Sequence, residues 1–159
     1  MTVMKIKKIG DPVLRTEAKE VDEITEKTED LINNMIDTLR DREGLGLAAN
    51  QVGILQQIAV IENENEIITL INPEIVEEEG SRLREEGCLS VPERQGPVPR
   101  AEKIRVRFQD REGQSKEKSF SDLTARIIQH EIDHLQGILF VDRVIDAPIA
   151  DISKFEKES

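Results

Sequence analysis

The chain has 159 residues, enough for one domain with a substantial core and too few for two ordinary domains. Apolar residues make up 37% and charged residues 35%, a balance typical of a soluble globular protein and not of a disordered one. The net charge of −11 and the absence of Trp and Tyr argue against direct nucleic-acid binding, since phosphates need a positive surface and bases stack on aromatic rings.

The sequence predicts neither membrane insertion nor export. Its apolar stretches are only a few residues long, and the N-terminal MTVMKIKKIGDPVLR lacks the apolar stretch of a secretory signal. The single cysteine cannot form an internal disulfide, which suits a reducing compartment. We therefore expect a cytoplasmic protein with no membrane partner.

The first predicted element is a helix over residues 25–41. Thr25 is the expected N-cap and Gly44 the expected stop. Apolar side chains form a helical stripe at Leu31, Ile32, Met35, Ile36 and Leu39. Strands are predicted next at 57–61, 66–71 and 74–79, with a turn at 62–65 and a break at Asn72-Pro73. Residues 103–109 and 115–120 predict a hairpin with one solvated face, turned by residues 110–114.

A second helix is predicted over residues 121–136, capped by Ser121 or Asp122 and stopped by Gly137. Apolar residues cover most of its circumference, which indicates a central, buried helix. The expected fold is α+β: one compact domain in which antiparallel strands surround this helix and the 25–41 helix packs outside. We expect the catalytic domain to span residues 1–148, followed by a short acidic tail at 149–159.

The second helix carries the motif HExxH as His130, Glu131 and His134. Side chains four residues apart project from the same side of a helix, so both imidazoles can bind one cation. The intervening glutamate can then act on a water molecule at that cation. The alternative is a pair of core histidines without a metal, which would need hydrogen-bond partners for several buried ring nitrogens.

A catalytic metal site usually takes a third protein ligand. The candidates downstream of the motif are the carboxylates of Asp142, Asp146, Asp151, Glu156 and Glu158. The last two lie close to the chain terminus, where residues fray. Upstream, Cys88 lies in REEGCLSVPE, and a thiolate there would be a strong ligand for zinc or ferrous iron. Without the histidine pair, Cys88 would be interpreted as a small buried apolar residue.

The segment GLGLAANQVG, residues 44–53, is the third feature. Its small residues allow a backbone or ligand to approach closely, and Gln51 offers an amide that can donate to a carbonyl oxygen. A phosphate-binding loop is only weakly supported, because the third glycine and a following GK[ST] are missing. A tight connection between helix and strand remains the alternative for this segment.

Taken together, GLGLAANQVG, EEGCLS and QHEIDH, in this order, closely resemble the three motifs of the bacterial peptide deformylases. IGDPVLR, VPRAEKI and HLQGILFVDR also resemble that family, so the likeness extends to about residue 148. It implies removal of the formyl group from the N-terminal formylmethionine of nascent polypeptides. Two other hypotheses stay open: a zincin-like endopeptidase with a downstream third ligand, and a metal-binding relative without activity.

The resemblance also implies the composition of the site. The ligands of one divalent metal ion would be Cys88, His130 and His134. The ion would be Fe²⁺ in the cell, with Zn²⁺ or Ni²⁺ also accommodated. Glu131 would accept a proton from water and pass it to the leaving amine. The side-chain amide of Gln51 and the backbone N–H of Leu89 would form an oxyanion hole.

The substrate contacts implied by the resemblance come from three segments. Leu123 and Ile127 would form one wall of an apolar slot for the methionine side chain. The further expected contacts are Leu45, Gly46, Glu86 and Gly87, of which the backbone of the last two would pair with the incoming peptide. Some family members dock on the ribosome through a long basic C-terminal helix, whereas this tail is short and acidic. We expect at most a transient ribosome association.

Overall fold

A computed structural model describes residues 2–145, which contain two α-helices, seven strands and three short 3-10 helices. The α-helices are α1 (Glu26–Asp41) and α2 (Asp122–Leu135). The strands are β1 (Gly46–Ala48), β2 (Ile58–Asn63), β3 (Glu66–Glu79), β4 (Arg82–Cys88), β5 (Val91–Arg100), β6 (Lys103–Gln109) and β7 (Ser115–Ser121). The predicted tail at 149–159 lies outside the described residues, so that domain boundary stays a prediction.

The strands form two antiparallel sheets. The larger has the order β1-β2-β3-β6-β7, and the smaller pairs β4 with β5. The predicted hairpin is confirmed, since β6 and β7 pair in register from Lys103↔Ser121 to Gln109↔Ser115. Within residues 2–145, no helix is long and apolar enough to cross a membrane.

Helix α2 is the centre of the fold, as predicted. Every residue from Ala125 to Leu135 is buried. The helix contacts β1, β2, β6 and β7, and Ile128 and Ile132 pack among apolar side chains of β2, β3 and β6. Because the helix is enclosed on nearly all sides, its polar side chains must also face the interior.

Helix α1 packs on the other face of β2. Its N-cap is Thr25, as expected, and Thr25 and Thr28 form reciprocal capping hydrogen bonds. Strand side chains alternate between the two faces of a sheet: Val60 belongs to the apolar cluster of α1, whereas Ile61 belongs to that of α2. The sheet is therefore buried on both faces at β2, and α1 stabilises it from the side remote from α2.

One predicted boundary is wrong. Residues 66–71 and 74–79 belong to a single strand, β3, and Asn72-Pro73 does not end it. The register with β6 shifts between Ile71 and Glu74, and Asn72 has a φ of 52°. The Asn72 side chain accepts a hydrogen bond from the Val21 N–H and donates to the Val21 carbonyl. A local irregularity thus accommodates the proline while the strand continues.

Candidate metal centre

His130 and His134 lie on the buried face of α2 that is turned towards β4. Their ring centroids are 4.9 Å apart in an edge-on arrangement. His134 is completely buried and His130 is 9% exposed. The helical spacing predicted from the sequence therefore places both imidazoles in one enclosed space.

Cys88 ends β4 and completes this group. Its Sγ atom lies 3.3 Å from Nε2 of His134, and the ligand atoms of Cys88, His130 and His134 all lie within 4.8 Å of one another. Two donors of one tetrahedral zinc ion, at the usual Zn–S and Zn–N bond lengths, are about 3.5 Å apart. The spacing therefore fits a shared metal ion, and the fold brings Cys88 together with the two histidines.

A buried carboxylate holds His130. Oε1 of Glu86 lies 3.0 Å from Nδ1 of His130, which leaves the other ring nitrogen for a metal. Metal-binding histidines commonly have such a partner, because it fixes the orientation and tautomer of the ring. The Glu86 side chain thus contacts His130, whereas the sequence predicts substrate binding by its backbone.

Glu86 belongs to a buried network of charges. Arg100 donates to both of its carboxylate oxygens at 2.9 Å, and Arg126 donates to Oε2. Burial alone would raise the pKa of Glu86, but hydrogen bonds from His130 and Arg100 outweigh it and lower the pKa to about 2. Arg100 also donates to Asp133 at 2.6 Å. The carboxylate that holds His130 is therefore ionised at neutral pH.

The two imidazoles have opposite electrostatic tendencies. Burial lowers the pKa of His130, but its interactions with Cys88 and Glu86 outweigh burial and raise the pKa to about 10. For His134, burial and the charge of His130 lower the pKa well below its ordinary value. The surroundings therefore favour one positive charge, carried by a proton on His130. A metal ion bound at the same place supplies that charge instead, and its binding displaces the proton.

Glu131 is enclosed beside the histidines. It is 4% exposed, and its Oε1 atom has no hydrogen-bond partner among the described residues. Burial raises its pKa to about 7. Its other oxygen lies against Gly46 of β1: a Cβ atom at Gly46 would be 2.7 Å from Oε2 of Glu131. The predicted small residue at position 46 thus provides the space for this carboxylate.

Gln51 reaches the centre from the short 3-10 helix Ala49–Val52. Its Oε1 accepts a hydrogen bond from the Ala48 N–H at 2.9 Å, which fixes the amide orientation. Its Nε2 is 3.6 Å from Sγ of Cys88 and 3.2 Å from Oγ of Ser90. The amide donor therefore points at the thiol side of the group, beside the turn that contains Leu89.

A cavity of about 510 Å³ opens beside these groups. All six predicted substrate residues line it: Leu45, Gly46, Glu86, Gly87, Leu123 and Ile127. Leu45 is 51% exposed and lies at the rim. Lys8, Arg84 and Arg126 also line the cavity and were not predicted, because nothing in the linear sequence connects them to the motifs.

Asp142, the one downstream carboxylate among the described residues, does not support a different third ligand. Both of its oxygens accept hydrogen bonds from Arg15, and one also accepts the Leu139 N–H. The other candidates, Asp146, Asp151, Glu156 and Glu158, lie outside the described residues. Among residues 2–145, the group that could hold a metal is Cys88, His130 and His134.

Comparisons with known proteins identify the family of the chain. The family model for polypeptide deformylase matches residues 3–148. A peptide deformylase of Caldanaerobacter subterraneus subsp. tengcongensis is 52% identical over 145 residues, which is 91% of each chain. The crystal structure of the Thermotoga maritima peptide deformylase superposes with a TM-score of 0.89 at 40% identity, covering 92% of this chain and all of the other.

A peptide deformylase of Acinetobacter baumannii with bound Met-Ala-Ser is also similar, with a TM-score of 0.85 and 36% identity. That match covers 90% of this chain and 99% of the other. The likeness extends over nearly the whole chain in both sequence and fold. The chain therefore belongs to the polypeptide deformylase family, metal-dependent hydrolases that remove the formyl group from the N-terminus of nascent polypeptides.

Proposed function

We propose that this protein hydrolyses the formyl group of N-terminal formylmethionine, with Cys88, His130 and His134 holding the metal ion. The observation that carries this proposal is the convergence of the three ligand atoms within 4.8 Å of one another, beside the buried carboxylate of Glu131. Because these groups come from two distant segments, β4 and α2, their meeting is a property of the fold.

One divalent cation at these residues would polarise the formyl carbonyl and lower the pKa of a water molecule. A thiolate and two imidazoles suit Fe²⁺, Zn²⁺ and Ni²⁺, and we propose Fe²⁺ in the cell with Zn²⁺ or Ni²⁺ in purified protein. Glu86, through its hydrogen bond to Nδ1, keeps His130 in the tautomer that a metal requires.

Glu131 is the proposed proton carrier. Its Oε1 atom lacks a hydrogen-bond partner among residues 2–145 and is therefore free to accept a proton from the attacking water. The water oxygen forms a bond to the formyl carbon, and the C–N bond then breaks. Glu131 passes its proton to the departing amine, so that formate and a free methionine N-terminus are released.

Gln51 and Leu89 are the proposed oxyanion donors. Nε2 of Gln51 lies 3.6 Å from the Cys88 sulfur, and Leu89 follows Cys88 directly in the chain. The Ala48 N–H fixes the Gln51 amide, so its orientation costs little during the reaction. We infer that the two N–H groups stabilise the negative charge that develops on the formyl oxygen.

The cavity has the features needed for an extended peptide that begins with methionine. Leu123 and Ile127 supply an apolar wall for the side chain. β1 and β4 are edge strands of their two sheets, and Gly46 and Gly87 on these strands line the cavity. A peptide between these edges can pair through its main chain, which selects extended chains with little regard to their sequence.

The direct test is formate release from formyl-Met-Ala-Ser by the metal-loaded protein. We expect turnover by the wild type and a loss of about 10²- to 10⁴-fold in kcat for Glu131→Ala with the metal retained. Normal turnover by that variant would refute the role given to Glu131. A Cys88→Ser protein that kept full activity and metal would instead favour a site with a different third ligand.

The expected partners are formylmethionyl nascent chains, which occur where bacterial translation takes place. We therefore infer a cytoplasmic enzyme that meets its substrate near the ribosome, through at most a transient association. Co-sedimentation of the full chain with ribosomes at low and physiological salt would test that association. A salt-resistant complex would contradict its transient nature.

A further inference from the structure

Three consecutive residues of the N-terminal segment contact both loops that carry the proposed oxyanion donors. The Lys7 N–H donates to the Gln51 carbonyl at 2.7 Å, and the Ile9 N–H donates to the Ser90 carbonyl at 2.8 Å. Between them, Nζ of Lys8 donates to the Leu89 carbonyl at 3.1 Å. Residues 7–9 therefore connect the Gln51 loop to the turn at Leu89 and Ser90.

The bond from Lys8 differs from its two neighbours because it comes from a side chain. Lys8 is exposed, yet it lines the cavity next to the metal centre. Its ammonium group contacts the carbonyl of the residue whose N–H is the proposed donor, so it acts on that turn and not on the reacting atoms. The bond joins residues 81 positions apart, and no motif of the sequence indicates it.

Besides the Lys8 bond, the turn at Leu89 and Ser90 is held through Ser90, whose carbonyl accepts the Ile9 N–H and whose Oγ accepts the Gln51 amide. The turn closes the hairpin of β4 and β5, where the register shifts between Glu86 and Cys88. The Leu89 N–H belongs to the peptide between Cys88 and Leu89, and the Leu89 carbonyl belongs to the next one, so a concerted rotation of these two adjacent peptides would redirect both groups. A charge-assisted hydrogen bond to the Leu89 carbonyl opposes that rotation.

We propose that Lys8 is a positioning residue that holds the turn so that the Leu89 N–H stays directed at the substrate oxygen. This inference rests on the proposed function, because it assigns Leu89 to the oxyanion hole. An interaction that matters only as charge develops should change kcat and leave KM nearly constant. A lysine that merely bound substrate would change KM instead.

The experiment compares Lys8→Met, Lys8→Arg and the matched control Lys5→Met in the metal-loaded enzyme. Lys5 is an exposed lysine of the same segment and is not among the described residues that line the cavity. With formyl-Met-Ala-Ser we expect Lys8→Met to lower kcat about fivefold with KM within about twofold, and Lys8→Arg to restore most of the activity. Lys5→Met should match the wild type in kcat, KM and metal content.

A second measurement does not depend on turnover. Amide hydrogen exchange at Ile9, whose N–H is bonded to Ser90, should be about fivefold faster in Lys8→Met than in Lys5→Met, since the turn is less restrained. Unchanged exchange at Ile9 would overturn the proposal even if the wild type released no formate. An unchanged kcat, an equal loss in Lys5→Met or a rise in KM alone would also overturn it, whereas an inactive wild type would refute the proposed function separately.

Discussion

Gly46 is the residue at which a single methyl group should have the greatest effect on the proposed proton carrier. A Cβ atom there would be 2.7 Å from Oε2 of Glu131 and 2.8 Å from Cγ2 of Ile127. Since neither distance is tolerable, Gly46→Ala must displace the Glu131 carboxylate, and misplacement by about 1 Å can cost about 10²-fold in rate. We expect kcat to fall to that extent while the bound metal stays at wild-type content, measured by formate release and elemental analysis. Wild-type kcat in this variant would contradict the proposed position of Glu131.

Glu86 should affect metal binding and stability together. Glu86→Gln would remove the carboxylate that holds His130 and leave Arg100 and Arg126 without their shared ionic partner. We expect metal affinity to fall about 10- to 100-fold. The free energy of unfolding should fall by about 3–5 kcal/mol, because buried arginine charge loses its compensation.

Competition with a chelator measures that affinity, and denaturant unfolding of the metal-free protein measures the stability. Glu85→Gln is the matched control, since Glu85 is the exposed neighbour on β4. It should change the free energy of unfolding by no more than about 0.5 kcal/mol. Equal effects of the two variants would show that the network around Glu86 has no special role.

For individual residues, the sequence predicts only those contacts that a short separation along the chain determines. The separation of His130 and His134 fixes their common face on any helix, so the pair could be predicted without a fold. Cys88 could be predicted because a thiolate is a strong metal ligand and the histidine pair requires a third one. Arg100 and Lys8 could not be found in the same way, because charged side chains are expected on the surface and their partners lie far along the chain.

Asp142 connects two elements at the edge of the fold. It pairs with Arg15 of the short 3-10 helix Pro12–Arg15 and accepts the Leu139 N–H after α2. The hydrogen bond from Arg15 is the largest influence and lowers the pKa of Asp142 below its usual value. A lowered carboxyl pKa stabilises the folded state above the ordinary pKa, and that contribution is lost as the pH falls through the lowered value.

We therefore expect Asp142→Asn to lower Tm by a few degrees at pH 7, with the difference from wild type disappearing in strong acid. Thermal unfolding over a pH series measures this. Arg15→Met should behave in the same way, and the double variant should lose little more than either single variant. A Tm difference that stayed constant down to strong acid would contradict the pairing.

The elements differ in how far the sequence predicts them. α1 and α2 agree with their predicted bounds to within one residue at each end, because apolar residues recur with the helical period, although Ser121 at the N-cap of α2 makes no side-chain capping hydrogen bond. β4 and β5 were not predicted: charged residues obscure β4, and β5 contains Pro92, Pro97 and Pro99. Proline is tolerated there because each strand of a two-stranded sheet has an unpaired edge.

At the scale of the whole molecule, the site is assembled from three segments that lie far apart in the sequence. β1 and the following 3-10 helix bring Gly46 and Gln51, the β4–β5 hairpin brings Cys88, and α2 brings the histidines. α2 is surrounded by both sheets, which fixes the side from which each group approaches. The resemblance in motif order predicted this assembly, whereas the strand order and the charge network required the structure.

The central claim is that one metal ion at Cys88, His130 and His134 makes this chain a deformylase. The most direct measurement is formate release from formyl-Met-Ala-Ser while metal-free protein is titrated with Ni²⁺. The account predicts negligible turnover without metal, a linear rise with bound ion, and a plateau at about one ion per chain that Cys88→Ser does not reach. Full turnover by the metal-free protein, or an unchanged titration for Cys88→Ser, would contradict it.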